Sequence, residues 1–369
     1  MIQKLGKSAK LGKKDISSAF RLLPLYPGDF CLTGFKFLDH YYIDKCLPMG
    51  CSVSCSLFEK FSSFLQWAVQ EKTGLYTSDH YLDDFLFLGR PETLECELLM
   101  QTFDNLCKNL GVPIAEEKNE GPVTRLCYLG LGIDTEEFKI YVPEEKIIKL
   151  KEQLNTTLGR KKVTLKELQS LTGSLAFCSK ALPAARAFNR RFYGAMSGIS
   201  KSFHRIRVTK GMKEDIKVWL TFLDKFNGCT FFPDEFWITN TVLELFTDSS
   251  GSLGCGAYFQ KKWLVFKWPL DWGQRVLRDI TFLELVPIVL AILTWSKMLT
   301  NKKVLFHVDN SALVDIINSK SSKSDRVMCL LRPLVLTTMN HNIIVLTTMN
   351  HNIIIYKLNV LTLLVQQMK

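Results

Sequence analysis

Hydrophobic and polar positions change their spacing twice along the chain. Between Lys14 and about Asp134, the runs Tyr81–Leu88 and Leu126–Ile133 read as short strands, whereas Ser52–Val69 and Glu92–Leu110 keep the apolar spacing of helices. This alternation predicts a mixed α and β unit. From about Val142 to Lys217 the pattern turns helical and basic, with helices expected over Glu144–Leu158, Leu165–Phe177 and Ala181–Tyr193. Thr164, with Glu167 three residues on, has the form of a capping box at the second of these. Pro233 and the Asn240/Thr241 region then mark a boundary. Beyond it, strand-like Leu243–Thr247 and Gly256–Phe259 precede a helix over Phe282–Leu299, a strand over Lys303–Val308 and a helix over Leu330–Val335. That order predicts a mixed sheet with helices packed on it. Four segments result: 1–135, 136–235, 240–333 and 334–369.

The last segment is unusual, because VLTTMNHNII at Val335–Ile344 recurs unchanged at Val345–Ile354. A ten-residue period repeated once fits neither a solenoid nor a coiled coil. It reads as a recent duplication or an assembly artefact, the alternative being two consecutive strands turning at Asn340–Asn342.

Composition narrows the class. The 369 residues are 47% hydrophobic and 22% charged, enough to bury a core and too apolar for a disordered chain. Lys and Arg exceed Asp and Glu by 47 to 36, and this net charge of +11 suits a polyanionic partner. The eleven cysteines are odd in number and form no CxxC pair, so they read as buried thiols of a reducing, intracellular compartment, cytoplasmic or nuclear. The basic N-terminus lacks the apolar stretch of a secretory signal. The longest apolar run, Leu285–Trp295, is shorter than the roughly 20 residues of a membrane span, so no membrane partner is expected.

The sharpest chemical feature is Tyr81-Leu82-Asp83-Asp84, two adjacent acids within an apolar hairpin that continues through Phe85–Leu88. Carboxylates in such a setting are costly unless a cation neutralises them. A further acid, Asp15, lies in KKDISSAF beside another apolar strand end. Acids from separate strands meeting at one edge can hold a pair of Mg²⁺ or Mn²⁺ ions roughly 4 Å apart for in-line phosphoryl transfer. The competing reading for each acid is a turn-capping aspartate.

These residues resemble the reverse transcriptases of retroelements, whose catalytic YxDD box matches Tyr81–Asp84. Lys14–Phe20 is similar to the first aspartate motif of that family. By resemblance Asp15 is the partner of Asp83, and Phe20 the gate that favours deoxynucleotides. Leu47-Pro48-Met49-Gly50 resembles the LPxG segment that contacts template and nucleotide. Leu110–Ile114 with Glu117-Lys118 is similar to the next palm motif, and Tyr128–Asp134 to the primer grip. Five motifs in order are more specific than any one of them. The resemblance implies an α+β fold: a ferredoxin-like palm over 1–135, a helical thumb and connection over 136–235, and an RNase H-like mixed α/β domain over 240–333. It makes Asp15, Asp83 and Asp84 the catalytic and metal-binding acids, with Phe20, Pro48, Gly50, Tyr81 and Lys118 as substrate contacts.

In the helical middle, Lys161, Lys162, Arg186, Arg190, Arg191, Arg205 and Arg207 are candidate phosphate contacts, which would give salt-dependent, sequence-independent affinity. The third segment carries Asp248 in FTDSS, Glu284 in TFLEL and Asp309 in HVDNS. Their strand, helix, strand order resembles ribonuclease H, which implies a second two-metal site cutting RNA in an RNA–DNA hybrid. Asp279–Leu290 and Phe306–Ile317 are most similar to DIRS-type retrotransposons. Expected partners are thus an RNA template, a DNA primer, an RNA–DNA hybrid and dNTPs. Two departures qualify these expectations: 14 residues precede Asp15, which leaves no room for the family's fingers, and no Asp or Glu follows Asp325 to end the RNase H-like part. The alternatives are an inactive, truncated nucleic-acid-binding remnant and a pararetroviral polymerase fragment.

Overall fold

The structure is a computed structural model that describes residues 1–225, 229–231, 238–239 and 241–349. It divides into two compact units, Met1–Pro143 with the strand Cys229–Phe231, and the remaining described residues from Glu144 onward.

The first unit begins with a single turn, α1 (Ile2–Leu5), and the strand β1 (Lys10–Asp15). A small hairpin follows, β2 (Gly34–Phe37) with β3 (His40–Ile43), and then α2 (Ser54–Thr73). The hairpin of β4 (Ser78–Tyr81) and β5 (Asp84–Gly89) leads into α3 (Glu95–Leu110) and the strand β6 (Glu120–Val123). These strands form one sheet in the order β4-β5-β1-β6, with β1 antiparallel to both neighbours. Because β5 reads DFLFLG, its alternate residues face opposite sides. Phe85 and Phe87 pack with Phe58 and Leu65 of α2 and Leu99 and Phe103 of α3, the Phe85 and Phe103 rings lying 4.6 Å apart. Leu86 and Leu88 join Leu11, Leu126 and Ile133 on the other face. Each of the fully buried rings contributes roughly 1.5–3 kcal/mol by leaving water, so the strand ends carrying the acids are anchored on both sides. The second sheet of this unit is the meander β7 (Arg125–Tyr128), β8 (Leu131–Asp134) and β9 (Lys139–Tyr141).

The second unit starts with α4 (Glu144–Gly159), β10 (Lys162–Thr164) and α5 (Leu165–Cys178). The expected capping box is present, with Thr164 accepting from the Glu167 N–H and the Glu167 side chain accepting from Thr164. The helix expected over Ala181–Tyr193 is instead a 3₁₀ segment, Pro183–Phe188, followed by α6 (Arg190–Met196). Pro183 fixes the start of the tighter turn, since it has no N–H to continue a helix. Buried Asn189 separates the two, accepting from Trp219 Nε1 at 2.9 Å and donating to Ser179 Oγ at 3.1 Å. The strand β11 (Arg205–Arg207) pairs with β10, and α7 (Lys210–Lys225) follows. The chain next supplies β12 (Cys229–Phe231), which pairs with β9 in the first unit's meander.

The remaining elements are β13 (Ile238–Thr239), β14 (Leu245–Ser249), β15 (Gly254–Phe259), β16 (Lys262–Lys267), α8 (Gln274–Leu277), α9 (Ile280–Trp295), β17 (Lys303–Val308), α10 (Ser311–Ser319), α11 (Asp325–Asn340) and β18 (Ile344–Met349). The single mixed sheet expected here is not what forms. β14-β15-β16 is an antiparallel meander, and β13-β17-β18 is a separate parallel sheet. The short strand Ile238–Thr239 takes the edge of β17 opposite β18, so β14 does not pair there. α9 is buried nearly all round, as its continuous apolar sequence demands.

The duplicated decapeptide has two conformations. Its first copy ends α11, burying Val335 and Thr338 three apart, and its second copy enters β18, burying Val345 and Thr347 two apart. This excludes two consecutive strands, because each copy follows the period of its own packing surface. The expectation of uniformly buried thiols is also corrected. Cys96, Cys107, Cys178 and Cys255 are buried, but Cys31, Cys51, Cys55, Cys127 and Cys329 are exposed. Among the described residues no helix is long and apolar enough to cross a membrane.

Candidate active site

The acids of the first unit meet where two strands end. β4 and β5 join through a two-residue turn, Leu82-Asp83, in which Leu82 has φ +55°. A tight hairpin needs this left-handed backbone, and Leu82 meets its cost by packing into the core beneath. Asp84 is then the first residue of β5, and its Cα partner across the sheet is Asp15, the last residue of β1. The Ile16 N–H donates to the Asp83 carbonyl at 3.0 Å, which ties the turn to the end of β1.

Electrostatics follow from this register. Asp15 is buried, and the Asp84 carboxyl is pushed up to about 6 by burial first, then by the negative charges of Asp83 and Asp15 and a hydrogen bond with Asp15. Lys118, from the 3₁₀ turn Glu116–Lys118, partly offsets this and donates to both Asp15 carboxylate oxygens, at 2.9 and 3.0 Å. Its own pKa is raised, chiefly by that hydrogen bond. The Tyr128 hydroxyl of β7 donates to the Asp84 backbone carbonyl at 3.0 Å, and burial pushes this phenol up as well. A cleft of about 500 Å³ opens on Asp15 and Asp84, lined also by Lys13, Lys118, Tyr128 and Gly130.

Whether this set suits a divalent cation is a question of its chemistry. Three carboxylates against one ammonium leave an excess of negative charge that a hard, oxygen-preferring cation would relieve. The donor set therefore fits Mg²⁺ or Mn²⁺. Among the described residues, however, no group of three or more His, Cys, Asp or Glu side chains is arranged as a ready ligand set.

Phe20, Pro48, Gly50 and Tyr81 do not line this cleft. Phe20 packs edge-on against Phe58, 5.3 Å between centroids. The Pro48 carbonyl accepts from Ser54 Oγ at 2.6 Å, and Gly50, with φ +85°, turns the loop before α2. Tyr81 is exposed. The sequence reading did not single out His80, whose ring stacks on Phe85 and whose Nε2 lies 3.1 Å from Glu59 of α2, anchoring the acid hairpin. Its position immediately before YLDD, in a strand with one buried face, is the signal that could have found it.

In the second unit, Lys162 and Arg207 are direct cross-strand partners, and Lys161, Lys162, Arg205 and Arg207 are all exposed while Val163 and Ile206 point inward. Like charges opposite one another destabilise a hairpin unless an anion covers them. Arg186 is exposed and Arg190 half-buried. Arg191 is committed elsewhere: its Nη1 lies 2.8 Å from buried Asp215, which Arg332 also approaches at 3.5 Å. Asp248 is buried on β14, Glu284 half-buried on α9, and Asp309 exposed just past β17, and α9 packs on β14.

Residues 1–133 match the family described as reverse transcriptase (RNA-dependent DNA polymerase). The chain is similar to the genome polyprotein of Petunia vein clearing virus, 29% identical over 128 residues, which is 34% of this chain and 6% of that polyprotein. It is also similar to Protein P of duck hepatitis B virus, 29% identical over 127 residues, 34% of this chain and 16% of that protein. The matched part is thus a small fraction of either curated relative. In fold, the chain resembles the foamy viral protease-reverse transcriptase in complex with double-stranded DNA, with a TM-score of 0.53 and 15% identity over 95% of this chain and 58% of that one. The same viral protein in complex with an RNA/DNA hybrid gives 0.51 over 92% and 44%.

Proposed function

We propose that this chain, whose first 133 residues carry a reverse transcriptase domain, works as the palm and thumb of an RNA-directed DNA polymerase that extends a DNA primer on an RNA template from dNTPs. The observation that carries this reading is the cross-strand register that sets Asp84 opposite Asp15, with Asp83 at the adjoining turn. Divalent ions held by these acids would supply the charge neutralisation that attack of a primer 3′-hydroxyl on an α-phosphate needs. The protein's part is positioning. β1 and β5 hold two acids on a packed sheet, Tyr128 fixes the backbone of Asp84, and Phe20 crowds the sugar of the incoming nucleotide. Lys161, Lys162, Arg205 and Arg207 offer a sequence-independent grip on phosphates.

For the second unit we propose an RNase H-like activity on RNA–DNA hybrids through Asp248, Glu284 and Asp309, also with Mg²⁺. We place the origin of the chain in a retrotransposon polyprotein of DIRS type, on the wording of Asp279–Leu290. The similarity to two viral proteins favours a second origin, a pararetroviral polymerase, with the same chemistry. The test is extension of a labelled DNA primer on an RNA template with Mg²⁺ and dNTPs, with RNA cleavage read in the same tube. Metal-dependent extension supports the reading, and RNA cleavage that survives Asp248→Asn overturns the second assignment.

A further inference from the structure

Both oxygens of the Asp15 carboxylate are engaged by one ammonium group. Lys118 Nζ lies 2.9 and 3.0 Å from them, and the backbone just before it is held in place by a hydrogen bond from the Ala115 N–H to the Asp15 carbonyl at 2.9 Å. The other lysines lining the cleft are committed elsewhere, Lys13 to Glu120 and Lys14 to Asp104, both at 2.8 Å. Lys118 is thus the cation the fold presents to the acid edge, on a side chain that remains 58% exposed.

We propose that Lys118 is a built-in counter-cation that competes with divalent metal for Asp15, so that the metal gains this carboxylate only by displacing the ammonium. The inference rests on the assignment of Asp15, Asp83 and Asp84 as the metal-holding acids. Two cations on one carboxylate repel each other strongly at such separations. Lys118 can move off Asp15 without unpacking the fold, because its side chain is 58% exposed and its ammonium is solvated once it leaves. While it stays, it keeps Asp15 from facing two other acids unneutralised. After displacement the ammonium stays tethered at the cleft, available to whatever anion the metal brings.

The test is Mn²⁺ binding to the full chain, followed by electron paramagnetic resonance of the free ion, with no nucleic acid or nucleotide present. Lys118→Ala is expected to bind Mn²⁺ at least about fivefold more tightly than the parent chain, while Lys118→Arg, which keeps a cation, stays within about twofold. Asp15→Asn is expected to weaken binding and to abolish the effect of Lys118→Ala in the double variant. In metal-free buffer Lys118→Ala is expected to melt lower than the parent and to recover with Mn²⁺. Unchanged or weaker Mn²⁺ binding by Lys118→Ala, with the loss in Asp15→Asn intact, overturns the competition and leaves the acid assignment standing. Mn²⁺ binding indifferent to Asp15→Asn removes the acid assignment itself, and this inference with it.

Discussion

Replacing Asp84 by Asn should stabilise the metal-free protein while removing its chemistry. The Asp84 carboxyl is pushed from 3.8 up to about 6 by burial and by the charges of Asp83 and Asp15. A tenfold change in proton affinity corresponds to about 1.4 kcal/mol, so the ionised form costs the folded state at most about 3 kcal/mol. Asp84 is only partly buried, and solvent screening reduces this to about 1–2 kcal/mol. For an acid with a raised folded-state pKa, the stability due to its protonated form is complete below about pH 4 and is lost as pH rises through about 6. Asn mimics the protonated group at every pH. Thermal melts in a chelator should therefore show Asp84→Asn above the parent by about 2–8 °C at pH 8, with the two curves converging by pH 4. Adding Mg²⁺ should raise the parent and leave the variant nearly unmoved. A difference that does not change with pH, or a variant that melts lower at pH 8, would show that ionised Asp84 does not destabilise the metal-free fold.

Other outcomes follow from single contacts. Thr164→Ala removes the cap of α5 and should cost about 1 kcal/mol in a urea melt, with the far-ultraviolet circular dichroism of the folded state unchanged. At Gly132 a Cβ would lie 2.2 Å from the Tyr141 ring, so Gly132→Ala should destabilise by about 1–3 kcal/mol, and Tyr141→Ala in the same chain should relieve part of that clash. Exchanging both Lys162 and Arg207 for Ala should weaken duplex binding for every sequence alike and flatten the log–log salt dependence by about 1.8, which a filter-binding series at several salt concentrations measures.

The acid hairpin was legible because adjacent acids inside an alternating apolar run leave few arrangements other than a turn at a sheet edge. The α5 capping box was legible because its whole signal lies within four consecutive residues, Thr164–Glu167. What stayed hidden depends on distance along the chain. Lys118 and Asp15 are 103 residues apart, and nothing local to either announces their ion pair. Arg191 looked like one more phosphate contact until Asp215, 24 residues away, folded against it. The hairpin β2–β3 was missed for another reason: GFKF and HYYI are exposed on both faces, so they lack the apolar and polar contrast that marks a half-buried strand. The duplicated decapeptide shows the limit most directly, since identical residues end a helix in one copy and enter a strand in the other. Tertiary packing overrides local preference there.

Primer extension and duplex binding, measured side by side for the parent chain and Asp83→Asn, separate the chemistry of the acid edge from the grip on nucleic acid. Mg²⁺-dependent extension by the parent is expected, with extension in the variant reduced by at least about a hundredfold and duplex affinity within about twofold of the parent. Extension by Asp83→Asn at the parent's rate would contradict the role assigned to Asp83.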